Sequence, residues 1–157
     1  IRVPRANRRY AVPHVEASVI IHAPWTQVAE LYRDYPGWPR LFPATIRGVR
    51  LVRQEAGRTE LEVDHREGKV PNIMTEVSSQ RVDLWEAKRR YDGNFVNRFE
   101  AVPEGTRYSI TADIELKGAA KLLGPVLKGY IRRQIIRYVL EPMRVAAESS
   151  VAPSSKR

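Results

Sequence analysis

Residues 15–43 constrain the fold most, because signals for a strand, a helix and a turn follow one another without interruption. Apolar and polar residues alternate over 15–22, which is the period of a strand with one buried face. Pro24 ends that strand and suits the first turn of a helix, where a missing N–H costs no hydrogen bond. Helical spacing then continues to Asp34, and the prolines and glycine that follow limit 35–42 to a short helical turn.

Six further strands are predicted, all separated by short turns. Alternating side chains and turn residues place them at 44–54, 59–66, 70–80, 82–91, 95–101 and 107–117. The Asp92-Gly93 pair is a typical hairpin turn between two of these strands. Short connections make the sheet antiparallel, with one charged face and one apolar face that another element must cover.

A long C-terminal helix is the segment of adequate length to cover that apolar face. Pro125 suits its first turn, and a broad apolar stripe continues to about Ser149. Such a helix is roughly 37 Å long, which is enough to cross a sheet. Pro142 is expected to kink it or to end its regular part. The predicted fold class is α+β: a curved seven-stranded antiparallel sheet, two short helices after the first strand, and the terminal helix over the concave face, enclosing a cavity.

The chain has 157 residues, which is enough for one domain with a substantial core. We expect that domain to span 15–149, with a basic N-terminal arm at 1–14 and a disordered tail at 150–157. Since the first residue is Ile1 rather than Met, the chain is expected to be trimmed or processed. It has no cysteine and no run of about 18 apolar residues. These features favour a cytoplasmic protein without a transmembrane segment, at most peripheral to a membrane.

The net charge of +9 is concentrated at the two ends of the chain. Residues 1–14 carry four arginines and no acid, and residues 117–144 carry seven bases and one acid. Such a basic pole favours an anionic partner, which would be an acidic carrier protein, a membrane surface or RNA. The residues expected to contact it are Lys121, Lys128, Arg132, Arg133 and Arg137. The alternative is a solvated helix face next to a disordered arm.

Several short motifs resemble the START/SRPBCC superfamily, whose members have the helix-grip fold. They are Ile21-His22-Ala23-Pro24, Val28, Asp34-Tyr35-Pro36 with Trp38, Leu41-Phe42-Pro43 and Gly105-Thr106-Arg107. The likeness covers 15–149 and is nearest to the polyketide cyclase-like branch, which includes coenzyme-Q-binding START proteins and ribosome-association toxins. The resemblance implies a sheet that grips the terminal helix around a cavity for an apolar ligand. The motifs shape helices and turns, so they bear on the fold more than on a reaction.

The side chains expected to line this cavity lie on the apolar register of the later strands and on the terminal helix. They are Leu61, Val63, His65, Ile73, Thr75, Val77, Trp85, Tyr91, Phe95, Asn97, Phe99, Tyr108, Ile110, Ala112, Leu127, Ile131, Ile135 and Tyr138. His65 is a candidate acid or base near neutral pH, and Tyr91 and Tyr108 are candidates to orient a carbonyl or a phenol. These three are the candidate catalytic groups. Their alternative roles are a histidine at the cavity mouth and tyrosine hydroxyls at its rim.

Three functions are compatible with these residues. The favoured one is non-catalytic binding or carriage of a hydrophobic small molecule, such as a lipid, a quinone or a polyketide, because it requires only the cavity. The second is a polyketide aromatase/cyclase or dehydratase that acts on a carrier-bound chain. The third is an interaction module on a ribosome or an anionic membrane. No cofactor and no metal are predicted, since the three histidines are scattered and cysteine and a phosphate-binding loop are lacking.

Overall fold

Seven strands form one antiparallel sheet in the computed structural model, which describes residues 13–151. The strands are β1 (His14–Ile21), β2 (Ile46–Glu55), β3 (Arg58–His65), β4 (Gly68–Ser78), β5 (Arg81–Ala87), β6 (Tyr91–Val102) and β7 (Gly105–Leu116). Their order across the sheet is β1-β7-β6-β5-β4-β3-β2, so β2 to β7 pair with their sequence neighbours and β1 joins the edge beside β7. The predicted seven-stranded antiparallel sheet is confirmed.

Helical segments follow β1 and β7, as predicted. Three of them connect β1 to β2: α1 (Trp25–Arg33), a 3-10 turn (Tyr35–Gly37) and the short α2 (Trp38–Leu41). The terminal helix has four parts: a 3-10 turn (Gly118–Leu123), α3 (Gly124–Ile135), a π turn (Ile136–Leu140) and α4 (Glu141–Val151). None of the helices within residues 13–151 is long and apolar enough to cross a membrane. Most of the predicted arm and tail lies outside the described residues.

Pro142 disturbs the regular α-helix, as expected, but the helix does not end there. Because proline has no N–H, it cannot donate to the carbonyl of Tyr138, four residues earlier. The π turn ends at Leu140, two residues before Pro142, and α4 then continues to Val151. Such a local widening accommodates the lost hydrogen bond, so both α3 and α4 reach β1 as parts of one helix.

The core lies between α1, the terminal helix and one face of the sheet, which we call the inner face. Tyr32 of α1 packs against Phe99 and Tyr108 on this face, with ring centroids 5.7 and 6.2 Å apart. Alternate residues of β7, from Thr106 to Leu116, are buried beneath the helices. The terminal helix contributes the buried residues Ile135, Leu140, Met143 and Ala147. This is the predicted helix-grip arrangement.

The predicted registers of β4 and β5 were wrong by one residue. In an antiparallel pair, directly opposed side chains lie on the same face of the sheet. Leu61 on the inner face opposes Asn72, so the neighbouring Ile73 and Thr75 on β4 lie on the outer face. Ile73 in turn opposes Trp85, which places Trp85 on the outer face as well.

Apolar residues occur on both faces of this part of the sheet, which explains the error. Ile73 and Val96 are buried on the outer face, although α1 and the terminal helix cover the inner one. Val77 was also assigned to the cavity, but it is exposed, and it lies where the register between β4 and β5 shifts. Hydrophobic alternation alone therefore cannot set the register here.

The predicted Asp92-Gly93 hairpin turn was wrong too, because both residues belong to β6. The turn lies at residues 88–90, where the Lys88 N–H donates to the Tyr91 carbonyl at 2.8 Å. Gly93 is on the inner face, and a Cβ added to it would lie 2.5 Å from the Phe95 ring. Glycine is needed at this position for side-chain packing rather than for a turn.

Candidate functional site

Four polar side chains lie on the inner face of the neighbouring strands β3, β4, β5 and β6. We call His65, Asn72, Glu86 and Tyr91 the inner polar cluster. Asn72 and Glu86 are directly opposed on β4 and β5, and they are only 2% and 6% exposed. The Tyr91 hydroxyl donates a hydrogen bond to Glu86 Oε1 at 2.9 Å. The register of four strands therefore places a buried carboxylate beside an amide and a phenol.

Glu86 is the electrostatic centre of the cluster. A buried carboxylate requires compensating partners, and Lys88 Nζ lies 3.7 Å from Glu86 Oε1. The same ammonium is 5.5 Å from the centroid of the Tyr91 ring. Burial raises the pKa of Tyr91, and the nearby charge of Glu86 raises it further. Tyr91 therefore keeps its proton and remains a hydrogen-bond donor to the carboxylate.

His65 carries a ring nitrogen with no partner. Burial lowers the pKa of His65, and the positive charge of Lys88 lowers it further. Nearby carboxylates have the opposite effect on this pKa, and that of Glu86 is the largest among them. Its Nε2 is buried and makes no hydrogen bond to any residue within 13–151. The imidazole is therefore neutral at neutral pH, with a nitrogen free to act as a base or to bind a ligand group.

A pocket of about 120 Å³ opens beside His65, between the β3–β4 and β5–β6 turns. Val70 and Ala87 give it an apolar wall, and Lys88 and Arg89 contribute positive charge. This volume is smaller than the roughly 300–1,000 Å³ of typical small-molecule sites. The pocket is therefore too small to enclose a typical small-molecule ligand, and His65 is the member of the inner polar cluster that lines it.

A second polar pair lies deeper in the core. The Tyr108 hydroxyl donates to Asn97 Oδ1 at 2.7 Å, and its ring stacks on Phe99 with centroids 5.0 Å apart. Burial raises the pKa of Tyr108, as it does that of the neighbouring Tyr32. Because both Tyr108 and Asn97 are fully buried and bonded to each other, their role in the core is structural.

Several apolar side chains on the inner face and on α3 are only half-buried. Leu84 on β5 directly opposes Phe95 on β6, and both pack against the core while keeping part of their surface accessible. On α3, Leu127 and Ile131 do the same. Accessible apolar surface with a few polar groups is the usual composition of a site for a small hydrophobic molecule.

A family model described as polyketide cyclase / dehydrase and lipid transport matches residues 12–147, which is most of the chain. The protein belongs to this family. A search of curated protein sequences gave no significant match. Membership agrees with the resemblance in the helix and turn motifs, and it identifies a fold whose members bind hydrophobic molecules or cyclise polyketides.

Solved structures share the fold of this family member at low sequence identity. The di-domain ARO/CYC StfQ from the steffimycin biosynthetic pathway has a TM-score of 0.73 and 14% identity, over 89% of this chain and 52% of StfQ. The Zhui aromatase/cyclase from Streptomyces has a TM-score of 0.71 and 16% identity, over 93% and 99% of the two chains. A START superfamily protein from Mycobacterium smegmatis has a TM-score of 0.69 and 14% identity, over 87% and 98%. This chain thus spans about half the length of StfQ and nearly all of the other two.

The predicted cavity residues of this family member fall into three groups. Those that are half-buried on the inner face or terminal helix are His65, Tyr91, Phe95, Leu127, Ile131 and Tyr138. Those that are buried in the core are Leu61, Val63, Asn97, Phe99, Tyr108, Ile110, Ala112 and Ile135. Those that lie away from the inner face, or exposed at the β4 irregularity, are Ile73, Thr75, Val77 and Trp85. The half-buried candidates therefore lie partly on β3 and β6 and partly on the terminal helix.

Sequence reasoning missed Asn72, Glu86 and Leu84. A signal for them exists in the β3–β4 hairpin, because a two-residue turn pairs His65 with Gly68. From that pair, alternation places Asn72 on the same face as His65, and the pairing of Asn72 with Glu86 carries the register to β5. Turn length, rather than hydrophobicity, is the informative feature in this part of the chain.

Proposed function

We propose that this protein binds a hydrophobic small molecule that carries a hydroxyl group, on the inner face of its sheet. The observation that supports this most is Asn72 Oδ1, which is buried and makes no hydrogen bond to any residue within 13–151. Buried polar atoms in folded proteins nearly always have a partner. A water or a ligand would complete this acceptor, and we assign the role to a ligand hydroxyl beside Glu86.

The surroundings of Asn72 define the rest of the ligand. Leu84 and Phe95 present accessible apolar surface on the neighbouring strands, so the ligand body is expected to be apolar. Phenols, reduced quinones and aromatic polyketides combine such a body with a hydroxyl. The family description names both polyketide cyclases and lipid transport, which agrees with a largely apolar ligand.

The proposal predicts a preference for an aromatic alcohol over a hydrocarbon of the same shape. We expect 2-naphthol to bind about 3- to 10-fold more tightly than 2-methylnaphthalene, because a single hydrogen bond contributes about 1 kcal/mol. Asn72→Leu, which keeps the volume and removes the amide, should abolish this preference while both compounds still bind. Titration calorimetry with the two probes measures the ratio in wild type and variant.

Two tryptophan variants control for the location of the site. Leu84→Trp fills apolar space on the inner face and should weaken both probes, whereas Val77→Trp, at an exposed position on β4, should weaken neither. The proposal would be contradicted if neither probe bound, or if the preference for the hydroxyl remained in Asn72→Leu.

A polyketide cyclase or dehydratase is the second candidate function, favoured by the unpartnered His65 Nε2. A neutral histidine beside the ligand would accept a proton from the carbon next to a ketone, which is the first step of enolisation. Glu86 and Tyr91 lie near it and would hold the substrate by hydrogen bonds. This role requires the same inner-face site as simple binding and differs only in the proton transfer.

The pKa of His65 provides the test of this second function. Since the pKa is lowered, the base remains neutral into mildly acidic solution, and turnover of a carrier-bound polyketide should fall only when the pH drops below the ordinary histidine range. Lys88→Gln removes a positive charge and should move both the NMR-measured pKa of His65 and the acidic limb of the rate profile upward. His65→Gln should abolish turnover, with the exposed His22→Gln as control. Unchanged turnover in His65→Gln would exclude catalysis by this residue.

A further inference from the structure

Four large apolar side chains are exposed where the terminal helix begins. Leu122 is 87% exposed, Leu123 52%, Val126 78% and Tyr130 52%. We call these four residues the helix-tip patch. Scattered exposed apolar residues are normal, but four within nine consecutive positions form a contiguous surface of the kind that marks an interaction site.

The helix-tip patch is not the part of the helix that packs on the core. Leu127, Ile131 and Ile135 follow one another at helical spacing and are half-buried or buried against the core. Val126 and Tyr130 are also one turn apart, but they lie on a neighbouring flank of α3 that is exposed to solvent. One helix thus carries two apolar stripes, and packing of the fold accounts for only one of them.

The segment that carries the helix-tip patch is basic. Residues 117–140 contain six bases and no acid. Lys128 and Arg133 are exposed and make no ion pair with any residue within 13–151, and Arg132 donates only to a backbone carbonyl. Arg144 on α4 differs, because Glu141 and Glu148 neutralise it. Lys128 and Arg133 are therefore available to an external anion.

We propose that the helix-tip patch and its flanking bases dock this protein onto an anionic lipid surface. Interfacial helices combine apolar side chains that enter the acyl boundary with bases that contact lipid phosphates. The phosphates of RNA would bind the basic side chains, but a phosphate backbone has no apolar surface for Leu122 and Val126 to contact. Leu122, at 87% exposure, stands out from the surface, which suits a deformable lipid interface better than a preformed protein groove.

This proposal is independent of the inner-face ligand site. The helix-tip patch lies on the exposed surface of the 3-10 turn (Gly118–Leu123) and of α3, whereas the inner polar cluster lies on the inner face of the sheet. Vesicle binding and naphthol binding are therefore expected to be lost in different variants, and either can fail without the other.

Vesicle co-sedimentation of the full chain tests the docking. We expect binding to phosphatidylcholine vesicles that contain about one-third phosphatidylglycerol to exceed binding to pure phosphatidylcholine at least about 10-fold. Raising the salt concentration from about 0.05 to 0.5 M should weaken it strongly, because the charges are exposed and screened. Binding to both vesicle types alike, or to neither, would overturn the proposal.

Matched variants separate the apolar and the electrostatic contributions. The pair Leu122→Asn and Val126→Asn should weaken vesicle binding about 10-fold or more, since two apolar side chains no longer insert. Val145→Asn is the control, because Val145 is 54% exposed on the same terminal helix but adjoins the paired Arg144. The pair Lys128→Gln and Arg133→Gln should weaken binding comparably, with the exposed Arg98→Gln on the outer face of the sheet as control.

The same variants distinguish lipid from other anions. If single-stranded RNA or an acidic protein binds in a way that depends on Lys128 and Arg133 but not on Leu122 and Val126, while vesicles do not bind, the surface has a different partner and the proposal is overturned. A Val126→Trp variant whose added fluorescence is quenched by brominated phosphatidylcholine in the anionic vesicles would support insertion directly.

Discussion

Replacing Gly105 with alanine should lower the free energy of unfolding by about 3 kcal/mol or more. Gly105 begins β7 with a φ of +135°, a conformation that residues with a Cβ rarely adopt. An added Cβ would also lie 2.4 Å from the Ile21 carbonyl oxygen and 2.9 Å from the Ala23 nitrogen. Both are backbone atoms at the end of β1, so neither can rotate away as a side chain would.

Gly68 provides a matched control for Gly105. It has nearly the same φ, +130°, but a Cβ there would meet no atom within 4 Å. Gly68→Ala should therefore cost only the backbone strain, about 1–3 kcal/mol. Urea denaturation measures the loss of unfolding free energy in both variants. The difference between the two losses is the contribution of the contact between the added Cβ at position 105 and the backbone of Ile21 and Ala23. Equal losses would show that the contact with β1 relaxes without cost.

The corner at Gly105 shows why much of the fold could be predicted from the sequence. Thr106 Oγ1 donates to the Ala23 carbonyl at 2.7 Å, so two adjacent residues fix the join between β1 and β7. Such requirements are local, and they appear in the sequence as a short motif. The register of β7 could also be predicted from the sequence. Its apolar residues, such as Tyr108 and Ile110, alternate with polar residues, and the polar residues lie on the face that no helix covers.

The candidate site could not be predicted in the same way, because local rules are broken there. On β4 and β5 the apolar Ile73 and Trp85 lie on the outer face, and the polar Asn72 and Glu86 lie on the inner face. Hydrophobic alternation therefore predicts the wrong set of inner-face side chains on both strands. Functional sites are where such conflicts are expected, since their residues are selected for a ligand rather than for the core.

Tyr91→Phe should destabilise the protein by about 1.5–3 kcal/mol, because it removes a hydrogen bond to a buried charged group. The hydroxyl donates to Glu86 Oε1 at 2.9 Å. Lys88 Nζ remains in the variant, but its 3.7 Å distance from that oxygen is too long for a hydrogen bond. Urea denaturation measures the loss, with the half-buried Tyr138→Phe as a control that should change little.

A double-mutant cycle assigns this loss to the charge. In the Glu86→Leu background no carboxylate is left without a donor, so Tyr91→Phe should cost less than about 0.5 kcal/mol. An equal cost in both backgrounds would instead attribute the loss to packing of the ring. Glu86→Leu alone is expected to lower the free energy of unfolding, because it leaves the Tyr91 hydroxyl and the Lys88 ammonium without their acceptor. The cycle thus separates the hydrogen bond to the buried carboxylate from the packing of the Tyr91 ring.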